Sequence, residues 1–296
     1  MKMDTFIEAE KVAGRSISHC FRLFEVSRAA YYQRRSATPS AKQAADAQLS
    51  ATITQIHDES RGTYGAPRIQ RALPERGEEA GMRRVRRLMR AAGIAGKTRR
   101  RWRKTTVVDP QAERAKDLVQ RDFAPSAEVD RRYVGDITYI PLAVGFCYLA
   151  TVIDLASRRV VGWALDTHLR TELVVEALAQ AFGSRRPPGG VVFHSDRGCQ
   201  YTSKDFGAFA RQLGVLLSIG RKGECWDNAV AESFFETIKR ELLDTVRWHD
   251  ADQVRAAVFD YIEGWYNTRR LHSSLGYVSP ATYEARIQHN ADRQAA

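Results

Sequence analysis

Three carboxylates in this chain stand where a purely structural role is costly. Asp136 interrupts the apolar run Tyr133-Val134-Gly135-Asp136-Ile137-Thr138-Tyr139-Ile140. Asp196 closes the run Val191-Val192-Phe193-His194-Ser195, and Glu232 lies early in a helix-like segment, Asn228–Leu243, with 35 residues between the two acids. Burying a carboxylate costs several kcal/mol unless a cation or hydrogen-bond donors compensate. One divalent cation compensates several carboxylates at once. Three oxygen donors suit Mg²⁺ or Mn²⁺ and not zinc, and a pair of such ions suits in-line phosphoryl displacement. Blander readings stand beside this one: Asp136 in a salt bridge to a core arginine, and Asp196 in a plain turn with Arg197 and Gly198.

Regular elements must bring these acids together. Alternation along residues 133–140 places Val134, Asp136, Thr138 and Ile140 on one strand face. Further strands are expected at 146–153, 159–165, 191–194 and 215–218, the first three joined by short loops and therefore antiparallel. Helices are expected at Thr171–Phe182 and Phe206–Leu213, with Pro187–Gly190 as a breaker. That order predicts an α/β fold with a mixed sheet. Asp196, where a strand hands over to a loop, is at the usual place for a reacting side chain in such a sheet. In the last helix Ala231, Phe235, Ile238 and Leu242 form an apolar stripe, while Glu232, Glu236 and Lys239 line an adjacent face. Glu236 and Lys239 read as a surface ion pair, and Asp227 or Asn228 as the N-cap.

The charge is uneven. The formal net charge is +11; residues 1–129 hold 26 Lys/Arg against 15 Asp/Glu, and residues 130–285 hold 18 against 19. From Met82 to Lys104 there are eleven basic residues and no acid. Such a block is either a solvated face or a polyanion site. Trp102 set among Arg99, Arg100, Arg101, Arg103 and Lys104 favours nucleic acid. Residues 15–35 read as a helix-turn-helix, turning at Glu25-Val26 and capped by Ser27, with Arg28, Arg34 and Arg35 offered to a groove; an ordinary helical hairpin fits the pattern equally. Residues 36–44 read as a linker. A second helical unit follows, opened at one point by Gly65-Ala66-Pro67 and ending in a helix with Arg83, Arg84, Arg86, Arg87 and Arg90 around the stripe Met82, Val85, Leu88, Met89, with Gly93 as its C-cap. No run of 18 apolar residues suits a membrane span. The opening residues lack an apolar leader core, and four scattered cysteines (Cys20, Cys147, Cys199, Cys225) form no CxxC pair. A reducing, cytoplasmic and nucleoid-associated setting is therefore expected.

Taken together, Val134-Gly135-Asp136-Ile137-Thr138-Tyr139-Ile140, His194-Ser195-Asp196-Arg197-Gly198-Cys199-Gln200-Tyr201-Thr202-Ser203 and Trp226-Asp227-Asn228-Ala229-Val230-Ala231-Glu232-Ser233-Phe234-Phe235 closely resemble the DDE transposases of bacterial insertion sequence family three, second-frame (OrfB) type. Arg61–Ile69 is similar to that family's amino-terminal helical motif, and Tyr261–Pro280 to its C-terminal one. The resemblance covers about residues 15–285. It implies a ribonuclease-H-like catalytic core related to retroviral integrases, behind an all-α DNA-binding region. It implies a catalytic, metal-holding triad of Asp136, Asp196 and Glu232, and a DNA contact at Lys239. The implied reaction is cleavage at the element ends followed by strand transfer, with terminal repeats and target DNA as substrates. The implied assembly is a homo-oligomer on DNA, with the first-frame (OrfA) protein as a partner or fusion. Tyr133 stands where the family usually has Trp, and Gly81 near where Ser or Asn commonly caps the helix.

The expected organisation is a helix-turn-helix-like segment over 1–36, a second helical DNA-binding unit over 45–96, a basic linker over 97–129, the catalytic core over 130–285 and a tail over 286–296. Two other readings stay open: a catalytically silent DNA-binding protein, and a nuclease that cuts without joining.

Overall fold

The computed structural model describes residues 3–35, 39–98, 125–126, 128–219 and 229–295. The chain divides into two compact units, Met1–Gly96 and Lys97–Ala296.

The first unit is helical. Helices α1 (Met3–Val12), α2 (Ser18–Leu23) and α3 (Arg28–Arg35) enclose a small core of Ile7, Cys20, Phe21 and Tyr31. The turn before α3 uses Glu25 at φ 53°, and the Ser27 hydroxyl accepts the Ala30 N–H at 3.1 Å, as the sequence predicts. The stretch read as a linker ends sooner than expected. Ser40 and Gln43 form a reciprocal capping box that starts α4 at Ala41, and the helix runs to Glu59. Helix α5 (Ala66–Ala72) opens behind Gly65 with Pro67 in its first turn, and α6 (Met82–Ala91) starts at Gly81 without a side-chain cap. After α6 the Ile94 N–H bonds Met89 O while Gly93 takes φ 68°, which is the Gly C-terminal closure the sequence signals.

The second unit holds a five-stranded sheet: β1 (Arg132–Pro141), β2 (Phe146–Asp154), β3 (Val160–Asp166), β4 (Val192–Ser195) and β5 (Leu216–Ile219), in the order β3-β2-β1-β4-β5. The first three are antiparallel, and β4 joins β1 and β5 in parallel register. Helices α7 (Thr171–Arg185) and α8 (Lys204–Gln212) cover the face bearing Tyr133, Ala150, Val152 and Phe193. Two glycines permit this packing. A Cβ on Gly135 would collide with the Phe193 ring, and one on Gly162 would strike the Ala177 carbonyl of α7. The opposite face, which carries Asp136, is continued by Thr151 and Trp163 in the register. The Trp163 indole N–H reaches Glu263 of the C-terminal region at 3.2 Å.

That region comprises α9 (Ala229–Ile238), a π-helical turn (Lys239–Leu243), α10 (Ala251–Phe259), a second π-helical stretch (Asp260–Tyr266) and α11 (Pro280–Ala295). Residues 286–295, expected as a tail, are the later turns of α11. The first π turn inserts one residue into the helical period. Leu243, and not the expected Leu242, is therefore the fully buried leucine. Glu241 is turned inward by the same turn. It meets Arg270 in a two-pronged ion pair (2.9 and 2.7 Å) and accepts the Tyr261 hydroxyl at 2.8 Å. Burial alone would favour discharging Arg270, but the Glu241 carboxylate overrides it and raises the guanidinium pKa. Removing one partner leaves the other buried without its counter-charge. Glu241→Ala should therefore lower unfolding free energy by roughly 3–5 kcal/mol, read from urea denaturation; a midpoint unchanged from the parent protein would contradict this.

A second charged knot closes the unit's other side. The Arg185 guanidinium bridges Asp130 (2.8 Å) and Glu284 of α11 (3.0 Å), Arg159 also pairs with Glu284 (2.8 Å), and the Ser157 hydroxyl donates to Glu284 at 2.8 Å.

Candidate active site

Strand β1 is the middle strand; Asp136 is paired with β2 on one edge and lies one residue past the end of the ladder with β4 on the other. Its opposite residue on β2 is Thr151, which is buried. In the parallel ladder Gly135 pairs with Ser195, the last residue of β4. One step further along lie Asp136 on β1 and Asp196 just past β4. The two aspartates thus stand on neighbouring parallel strands at the level of the carboxyl end of β4, where open α/β sheets place their chemistry, although β1 itself runs on to Pro141.

The environments of the two differ. Asp136 is half-buried, and its Oδ1 accepts the Ile137 N–H at 2.8 Å. Its carboxyl is pushed up to about 7, first by burial and then by the negative fields of Asp196 and Glu232, with the Ile137 N–H and Lys239 pulling the other way. Asp196 is exposed and its Oδ1 accepts the Gly198 N–H at 2.9 Å. The plain-turn reading of Asp196 is therefore correct for its backbone setting. The turn leaves the carboxylate facing solvent and within electrostatic reach of Asp136.

Helix α9 packs on β1 and presents Glu232 from its first turn. Ala231, Phe234, Phe235 and Ile238 are buried, which anchors the helix, while Glu232 is exposed. Partial burial raises the Glu232 carboxyl above its ordinary value. The structure thus brings Asp136, Asp196 and Glu232 into one field, each from a different element. Among the described residues, no three His, Cys, Asp or Glu side chains are gathered tightly enough to grip an ion.

Lys239 begins the π turn after α9. Its Nζ lies 5.2 Å from the centre of the Tyr139 ring, and its positive field reaches Asp136. The expected Glu236–Lys239 pair is replaced by Glu236–Arg240 at 3.7 Å, four residues apart.

Of the basic residues predicted to meet DNA, Arg28 stacks near the Tyr32 ring at 5.8 Å, on a ring that Lys11 also approaches at 5.6 Å. Arg83 is exposed. Arg84 and Arg87 do not simply project outward: they hold Asp46 of α4 at 2.8 and 2.7 Å, and Arg87, then Arg84, keep that carboxyl below its ordinary pKa. An open cleft of about 600 Å³ is lined by Lys42, Ala45, Asp46, Arg83, Arg84 and Arg87. The Arg34 side chain, Arg99, Arg100, Arg101, Trp102, Arg103, Lys104, Asp227 and Asn228 lie outside the described residues. Asp46 escaped the sequence reading because 38 and 41 residues separate it from its arginines.

Comparison with known proteins agrees with this architecture. Integrase core domain families match residues 126–225 and 213–280, and an HTH-like domain matches residues 43–102. The chain is 36% identical over 270 residues to the "Insertion element IS600 uncharacterized 31 kDa protein" of Shigella sonnei, spanning 91% of this chain and 99% of that one. It is 34% identical over 285 residues to "Transposase InsF for insertion sequence IS3A" of Escherichia coli, spanning 94% and 97%. A solved structure of the HTLV-2 integrase catalytic core domain in complex with magnesium aligns with 49% of this chain and 92% of that one, at 17% identity and TM-score 0.38. The chain belongs to the insertion-sequence transposases built on an integrase core.

Proposed function

We propose that this chain cuts one DNA strand at the ends of an insertion sequence and joins the freed 3′-hydroxyl to another DNA strand, with Asp136, Asp196 and Glu232 as the catalytic carboxylates. The observation that carries the assignment is the ladder register that sets Asp136 beside Asp196, with α9 and its Glu232 packed on the same strand. A half-buried acid pushed up to about 7 by burial and by two neighbouring acids is an environment short of positive charge. A hard divalent cation supplies that charge, and an all-carboxylate donor set is the right chemistry for Mg²⁺ or Mn²⁺. The three acids would hold the metal, proposed as two ions. When bound, such a pair activates the attacking hydroxyl or water and stabilises the leaving oxygen.

The chain's own residues divide the rest of the work. Asp136 is the fixed floor of the site, because it stands inside the long β1–β2 ladder and next to the end of the β4 ladder. Asp196 accepts the Gly198 N–H through one oxygen and keeps the other open to a cation. Glu232 approaches from α9. Lys239 offers a cation for a phosphate of the DNA strand. The helical unit, with Arg28, Arg83 and the Arg84/Arg87 cleft, and the basic stretch 99–104 would bind duplex DNA. Pairing two element ends calls for more than one copy on the DNA, with the first-frame protein as a further partner.

Strand transfer on a labelled terminal-repeat duplex with Mg²⁺ tests the proposal. Cutting followed by joining supports it. Cutting alone makes the protein a nuclease, and binding alone makes it a silent DNA-binding protein. DNA affinity should also fall steeply with salt. The logarithmic slope should be about −0.9 for each phosphate contacted, and Arg83→Ala should reduce its magnitude by about one. Fluorescence anisotropy across a salt series measures both; a flat titration would remove the basic face from the reading.

A further inference from the structure

Thr151, the residue of β2 opposite Asp136, carries a hydroxyl that the fold leaves unbonded. The residue is 1% exposed, and among the described residues its Oγ1 has no hydrogen-bond partner. Buried hydroxyls are nearly always paired, and leaving one unpaired lowers stability. Valine has the same branched shape without a hydroxyl to bury. A threonine here therefore weakens the empty protein, and its place in the sheet says what the hydroxyl is for.

The ladder narrows the choice of acceptor. Pairing of β1 with β2 is unbroken from Tyr133 to Pro141, so Thr151 and Asp136 stand directly opposite each other on one face. Directly opposed residues hold their Cβ atoms about 4.5–5.5 Å apart, within reach for a hydroxyl and a carboxylate, whereas diagonal neighbours stand about 7–8 Å off. The diagonal neighbours on β1 are Val134 and Thr138, both with short side chains. On the other side β3 places Trp163 opposite Thr151. The Trp163 indole offers no acceptor, and its N–H is already given to Glu263 at 3.2 Å. Among these cross-strand neighbours the acceptor within range is the Asp136 carboxylate. That carboxylate has room for another donor. Its Oδ1 takes the Ile137 N–H at 2.8 Å, and among the described residues this is the one hydrogen bond it accepts. A carboxylate that ligates a metal is in turn hydrogen-bonded, which fixes its orientation.

Resting on the reading of Asp136 as a metal-holding carboxylate, we infer that Thr151 is its positioning residue: the buried Thr151 hydroxyl donates to the Asp136 carboxylate once a cation occupies the site, and holds that carboxylate in the orientation the ion requires. Thr151 acts through Asp136 and contacts neither the ion nor the DNA. The hydroxyl finds its partner only in the loaded protein, so the stability lost by burying it falls on the empty one.

The test compares the full-length parent protein with Thr151→Val and Thr151→Ser. Without metal, Thr151→Val should melt at or above the parent temperature, because a methyl group replaces an unpaired buried hydroxyl. In a Mg²⁺ series the same variant should need about 10–100-fold more Mg²⁺, both for half of its rise in melting temperature and for half-maximal strand transfer, as metal sites do when a ligand loses its supporting partner. Thr151→Ser keeps the hydroxyl and should stay within about three-fold of the parent protein on both measures. A merely structural role would lower the melting temperature without metal and leave the Mg²⁺ midpoint unmoved; that result overturns the inference. A parent-like Mg²⁺ midpoint in Thr151→Val overturns it too, as does a loss that Thr151→Ser shares in full. In these cases the parent protein still transfers strands, and the reading of Asp136 survives. A parent protein that transfers no strand, and whose melting ignores Mg²⁺, overturns both.

Discussion

Glu232→Gln is expected to abolish strand cleavage and joining, a loss of at least about a thousand-fold, while DNA affinity should stay within about two-fold of the parent protein. The substitution keeps the shape of the side chain and removes only its charge. The rate loss corresponds to about 4 kcal/mol of transition-state stabilisation, which is within what a metal-held phosphoryl transfer draws from its ligands. Fold stability should hardly change, because Glu232 is exposed and α9 is anchored by Ala231, Phe234, Phe235 and Ile238 on its buried side. DNA affinity should hold because the helical unit and Lys239 keep their charges. Cleavage of labelled ends in Mg²⁺, together with anisotropy in Ca²⁺, separates the two effects. Parent-like cleavage by this variant would remove Glu232 from the site.

The second large effect is on stability. In the folded protein the Asp136 carboxyl titrates near 7, against 3.8 for the ordinary side chain. Between those values the folded state keeps a proton that the unfolded chain has lost. Stability therefore falls as pH rises from about 4 to about 7, and above 7 the whole cost remains. The shift corresponds to a few kcal/mol at most. Asp136→Asn removes this titration. At pH 8 without metal the variant should melt several degrees above the parent protein, and at pH 4 the two should nearly coincide. Mg²⁺ should raise the melting temperature of the parent protein and not of the variant, because the ion relieves a repulsion that Asn no longer creates. Asp154, pushed up to about 6 mainly by burial, titrates in both proteins and cancels from the difference. Identical melting curves at pH 8 would show that the Asp136 charge is already compensated.

The sheet was legible because its signals are local. Alternation in residues 133–140 and the short loops after it predict β1, β2 and β3 to within about a residue at each end, and their antiparallel pairing follows from loop length. Asp136, Asp196 and Glu232 stood out because each breaks an apolar pattern. What the sequence hid depends on distance along the chain. Asp46 is paired with arginines about forty residues away, so Arg84 and Arg87 looked like free cations. Glu241 looked like one more charged residue on a helix, and only the π turn and the 29-residue separation to Arg270 make it a core residue. The same turn defeated the simple period that had predicted Leu242 on the buried stripe. Ser40 was read within a linker because its capping role depends on Gln43 folding back over it.

The Arg185 knot limits how far this polypeptide can be shortened. Glu284 is held by both Arg159 and Arg185, and all three side chains are largely shielded from water. Trimming the protein at residue 279 would strip two guanidiniums of a shared counter-charge and bare the surface on which the closing helix rests. A catalytic-half expression clone that stops at the last conspicuous motif would carry that injury in every molecule, and its inactivity would say nothing about the carboxylates.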